Sequence, residues 1–117
     1  MSHPAFPTFS CRRRDARGAA RLVVAGELDV ATTPQLDEAL RRAEADAPMV
    51  VLDLQGLEFV AGCGVMLMLA AERRIRRAGG RLVVVRAPGL DRMFALVDAE
   101  RRLDVVDRLE LPESMAA

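Results

Sequence analysis

Residues 59–67 read FVAGCGVML, and Gly62, Cys63 and Gly64 stand where an apolar helix begins. Glycine weakens a helix and cysteine does not favour one, so helix stability does not explain the choice. A start this bare offers backbone chemistry instead. The first amides of a helix have no intrahelical acceptor and carry the positive end of the helix dipole, which suits an anion or the acceptor groups of a partner. Glycines let that partner come close. Gly62 is a tolerable cap, since Gly in place of a capping side chain costs roughly a few tenths of a kcal/mol, whereas Ala61 in that role costs about 1 kcal/mol. Cys63 adds a thiol to the first turn, which reads either as a redox switch or as a small semi-buried residue.

Other chemistry lacks its parts. A Gly-rich turn before a helix can cradle phosphate, but no P-loop lysine and hydroxyl follow Gly64. His3 is the single histidine, so neither a His-based nucleophile nor a metal site is expected. No paired carboxylates stand in an acid–base context and no cofactor fingerprint is complete. The expectation is a protein that is not an enzyme and has no cofactor.

Protein contact is the better-supported use. Val65 to Leu69 make the first turns of this helix apolar nearly all round, so part of Met66, Leu67 and Met68 should reach the surface beside the exposed amides. Asp29, Thr32 and Thr33, in the stretch GELDVATTP, either join that surface or serve only as a turn before a helix. Pro88, Gly89 and Arg92 open a later helix near the same end of the sheet and border the site. Asp53, ending a buried strand, reads as an acceptor for backbone amides. The charged run Glu72 to Arg77 reads as a solvated helix face with an i,i+4 pair between Glu72 and Arg76.

These residues are carried by alternating apolar elements. Residues 5–14 and 19–26 have strand character, and Asp15 to Gly18 suit a turn between them. Three arginines, Arg12 to Arg14, mark the first run as an edge, while LVVA at 22–25 suits the inside of the sheet. Thr33 before Pro34 is the expected cap of a helix with Leu36, Ala39, Leu40 and Ala43 on its buried face. Met49–Leu54 is a buried strand, 62–78 a helix stopped by Gly79 and Gly80, and 81–86 another strand. Pro88 starts a third helix with Leu90, Met93, Phe94 and Val97 at helical spacing, and 103–111 adds a strand or a last helical turn. Helices between buried strands require crossovers, so the sheet is mixed: an antiparallel opening hairpin followed by parallel strands. About four helices pack on it.

The 117 residues suit one domain, expected over 9–111 between a flexible N-terminus (1–8) and a flexible tail (112–117). Half the chain (51%) is hydrophobic but Trp and Tyr are absent, so the core is aliphatic and base stacking has no platform. Seventeen basic and seventeen acidic residues cancel, which removes any global field toward nucleic acid or anionic membranes. No apolar run approaches bilayer length and no leader opens the chain, so a cytoplasmic protein without membrane insertion is expected, with Cys11 and Cys63 reduced.

Three stretches taken together, GELDVATTPQLDEAL, VVLDLQGLEFVAGCG and GGRLVVVRAPGLDRMFAL, have the order and spacing of the STAS domain. From about Phe9 to Arg108 the chain resembles the anti-sigma factor antagonists of bacterial partner switching. The resemblance implies an α/β fold that presents the start of its second helix to an anti-sigma factor, often a serine-kinase-like protein. The family's usual Asp-Ser-Ser-Gly falls on Ala61, Gly62, Cys63 and Gly64, so the position that normally accepts phosphate has no hydroxyl. The expected partner surface comprises Asp29, Thr32, Thr33, Ala61, Gly62, Cys63, Gly64, Met66, Leu67, Pro88, Gly89 and Arg92. A STAS scaffold or transporter accessory binding another protein is the alternative function, with the Cys63 redox switch as a third; self-association is left open.

Overall fold

A computed structural model describes residues 9–16, 18–96 and 102–109. The expected flexible ends lie outside the described residues. One sheet has the order β1-β2-β3-β4-β5, formed by β1 (Ser10–Ala16), β2 (Ala19–Leu28), β3 (Met49–Val60), β4 (Arg81–Val85) and β5 (Asp104–Val106). β1 and β2 pair antiparallel and every later pair is parallel. Three helices are described, α1 (Thr33–Asp46), α2 (Gly62–Arg77) and α3 (Asp91–Leu96). α1 packs over β1 to β3, α2 over β4, and the two helices touch.

The mixed sheet is as the crossovers require, with β1 at one edge and β2 inside. Among the described residues three helices are formed where about four are expected, and Asp104–Val106 pairs with Val83–Val85 as a strand rather than a helical turn. The core face is aliphatic: Leu22 and Val24 of β2, Leu52 and Leu54 of β3 and Val84 of β4 meet Leu36, Leu40, Val65, Met68 and Ile75 of the helices. Each such side chain contributes roughly 1.5–3 kcal/mol on burial. Val51, Val83 and Val85 are buried as well, which is why β3 and β4 read as continuous apolar runs rather than alternating ones.

β3 extends past the run Met49–Leu54. Its register with β2 shifts between Val23 and Ala25 and again between Gly26 and Glu27, each time adding one residue to β3. The two bulges turn the strand's period of two into a period of three. Leu54, Leu57 and Val60 are buried, while Gln55, Gly56, Glu58 and Phe59 face outward. Asp53 holds the first bulge: its Oδ1 accepts the Gln55 amide at 3.0 Å, and its Oδ2 accepts Arg21 Nη2 at 2.7 Å.

Turn chemistry trims the remaining elements. Asp15 and Ala16 pair with Ala20 and Ala19, so they belong to β1 rather than to the turn. α2 ends in a Schellman arrangement, with Gly79 at φ 87 and the amides of Gly79 and Gly80 donating to Arg76 O and Ile75 O. Pro88 does not start α3. Leu90 N donates to Ala87 O at 3.2 Å and Gly89 takes φ 83, so Pro88 and Gly89 are the central residues of a type II turn. Val97 lies outside the described residues.

Candidate functional site

The chain leaves β3 pinned to β2, for Ala61 N donates to Leu28 O at 2.8 Å. Ala61 is extended and caps α2 with no side-chain bond. Its carbonyl accepts Gly64 N at 2.9 Å and Val65 N at 3.3 Å. Among the described residues, no acceptor meets the amides of Gly62 and Cys63. No acidic side chain lies in the first turn, while Arg74, Arg76 and Arg77 occupy the last. The positive end of the dipole is therefore left unanswered at Gly62 and complemented at the far end.

The two glycines of this start have different causes. A Cβ on Gly62 would meet nothing within 4 Å, whereas on Gly64 it would lie 2.7 Å from Leu28 Cδ2 and 3.1 Å from Val60 Cγ2. Gly64 is buried, and its lack of a side chain lets α2 sit down on the ends of β2 and β3. Gly62 and Cys63 are exposed. The reading of Cys63 as semi-buried is thereby corrected: the first turn projects it away from the core. Both cysteines are free. Cys11 is half-buried, and burial pushes its thiol up from the ordinary range.

The start of α1 adjoins it. Asp29 Oδ1 accepts Thr32 N at 3.0 Å and Thr32 Oγ1 accepts Asp29 N at 2.9 Å, a reciprocal exchange that closes the turn ahead of α1. Thr33 Oγ1 donates to Asp29 O at 2.6 Å and lies 3.6 Å from Cys63 Sγ. Thr32 takes the cap position and Thr33 is the first helical residue, a correction to Thr33 as cap that follows from the Asp29–Thr32 exchange. Farther along, Arg74 of α2 grips Glu44 of α1 with Nε at 2.5 Å and Nη2 at 2.7 Å. That fork fixes one helix against the other.

Exposed apolar side chains stand at this end of the sheet. Met66 is 50% exposed, Phe59 44% and Val30 77%. Phe59 immediately precedes Val60, which pairs with Leu28, and Val30 follows two residues after Leu28. Sequence reasoning missed Val30 and Phe59. A β-branched residue inside a polar turn was a signal for the first, but the bulge that turns Phe59 outward has none. Leu67 is half-buried against the core. The structure brings Asp29, Thr32 and Thr33 together with Gly62 to Gly64. Pro88, Gly89 and Arg92 lie beyond β4, which pairs with β3 only as far as Val85, opposite Asp53. Among the described residues, no group of three His, Cys, Asp or Glu side chains could hold a metal, and no helix is long and apolar enough to cross a membrane.

The model of the family described as Mlab, STAS domain matches residues 11–108. The anti-sigma-F factor antagonist RsfB of Mycobacterium tuberculosis is 34% identical over 92 residues, covering 70% of this chain and 75% of that protein. A solved anti-sigma factor antagonist from Mycobacterium paratuberculosis superposes with a TM-score of 0.79 at 26% identity, covering 87% of this chain and 88% of that one. The anti-sigma factor antagonist SpoIIAA in its unphosphorylated form shares the fold, with a TM-score of 0.69 at 18% identity over 86% of this chain and 90% of that one. With the mixed sheet and the exposed start of α2 already in place, the chain belongs to the STAS domain family.

Proposed function

We propose that this chain is an anti-sigma factor antagonist that docks on an anti-sigma factor through the start of α2, with no phosphate at position 62. The carrying observation is the pair of unbonded amides at Gly62 and Cys63, open to solvent and flanked by exposed Met66. A partner that presents carbonyl or carboxylate acceptors beside an apolar side chain would satisfy both features. The relationship to RsfB supports the class of partner. Phosphate at this face would bring roughly −1.5 to −2 charges. Gly62 has no hydroxyl to carry one, so the bare backbone holds the surface permanently in its unmodified form. Asp29, Thr32 and Thr33 frame one side of the same face.

Titration of the purified chain with the anti-sigma factor of its own cell, in each nucleotide state of that protein, tests the proposal. Saturable binding is expected in at least one state; absence of association in all of them rejects it. Native complexes isolated with membrane transport components instead would assign the domain to a different assembly, for which the alanine at position 61 offers a reason.

A further inference from the structure

We infer that the chain carries a second, separate site that takes the phosphate groups of a small soluble ligand. Leu69, Glu72, Arg73 and Arg76 recur at the spacing that aligns them on one face of α2. Arg102 reaches the same place from just ahead of β5, and the five residues line a surface pocket of about 400 Å3. A buried leucine anchors each of the two elements. Leu69 is 2% exposed within α2, and Leu103, next to Arg102, is 5% exposed in the core. The volume lies in the range of small-molecule sites, roughly 300–1,000 Å3.

Among the described residues that line this pocket the charge is unbalanced: three guanidinium groups share one carboxylate, and Glu72 accepts Arg76 through Nε alone, at 3.1 Å. Arg13, Arg41, Arg74 and Arg81 each find a carboxylate, but among the described residues Arg73 and Arg102 find none. A guanidinium fork matches two phosphate oxygens at once. Forks arriving from two different elements suit adjacent phosphates, as in a diphosphate, better than a single carboxylate. The pocket is concave and the whole chain is electrically neutral, whereas a duplex or a bilayer requires a broad positive surface. Glu72 also opposes a flat polyanion lying along the helix.

Calorimetric titration of the full chain with inorganic pyrophosphate at low salt tests this site, comparing wild type with the double variant Arg73→Gln, Arg102→Gln. Saturable binding is expected in wild type, weakened ~10-fold or more in the variant because two charge-assisted contacts are lost. Unchanged circular dichroism would exclude unfolding as the cause. No saturable heat at millimolar pyrophosphate, or equal affinity in the two proteins, overturns the inference. Flotation with vesicles of anionic phospholipid separates the sources: no association is expected, and arginine-dependent association stronger than that for pyrophosphate overturns the soluble ligand. Gly62→Glu should leave pyrophosphate binding unchanged, so failure here and failure of anti-sigma factor docking are read independently.

Discussion

The turn ahead of α1 closes on itself: Asp29 and Thr32 exchange bonds, the Thr33 hydroxyl donates to the Asp29 carbonyl, and the first helical amide, Thr33 N, donates to that same carbonyl at 2.9 Å. The start of α2 comes within 3.6 Å of it, at Thr33 and Cys63, yet the amides of Gly62 and Cys63 meet no acceptor among the described residues. Both helices bury an aliphatic face on the same sheet, so packing demands do not separate them. What differs is the use of the first amides. A chain that ties the first amide of α1 back to Asp29 leaves the first amides of α2 open, and that omission is tolerable because α2 is held elsewhere, by Gly64 seated against Leu28 and by the Arg74–Glu44 fork.

Substitutions at each start put this difference to the test. Gly64→Val should destabilise by about 1–3 kcal/mol through overpacking against Leu28 and Val60, read as a lower urea midpoint, while Gly62→Ala should change stability by less than about 1 kcal/mol. If the two glycines respond alike, their separate roles are wrong. Asp29→Ala should remove about 1 kcal/mol by opening the α1 start, and Ala61→Ser should add about 0.5–1 kcal/mol by supplying α2 with a cap. No gain from Ala61→Ser would mean that the amides of α2 are satisfied in solution. Met66→Ala should leave stability within about 0.5 kcal/mol, as exposed sites do, and lower affinity for the anti-sigma factor. The smallest effect concerns the thiols: iodoacetamide should modify exposed Cys63 before half-buried Cys11. Because burial raises the Cys11 pKa, its labelling should increase only as the solution becomes alkaline.

Much of this was legible in the residues. The apolar spacing of Leu36, Leu40 and Ala43 and the run Leu82–Val85 each had one reading, and crossovers then required a parallel sheet. The bare start at Gly62 was equally plain, since glycine and alanine carry no capping oxygen. Other features depended on contacts that sequence does not write. The bulges of β3 gave Leu54, Leu57 and Val60 a spacing that suits no regular strand, so the strand was cut short and Phe59 was missed. Pro88 fits a helix start as well as a type II turn, and only the positive φ of Gly89 distinguishes them. The need for glycine at position 64 comes from Leu28, distant in sequence. Arg102 joins Arg73 through the placement of β5, which local spacing could not reveal.

The most direct test of the docking face is the affinity of the anti-sigma factor for wild type and for Gly62→Glu. Space around Gly62 accommodates the side chain, and a carboxylate in the first turn answers the helix dipole, so the unfolding midpoint should not fall. A charge forced into the contact should nonetheless weaken binding by about 100-fold, in line with the several kcal/mol that an unpaired interfacial charge costs. Equal affinity of the two proteins, both fully folded, would contradict the assignment of the α2 start as the docking face.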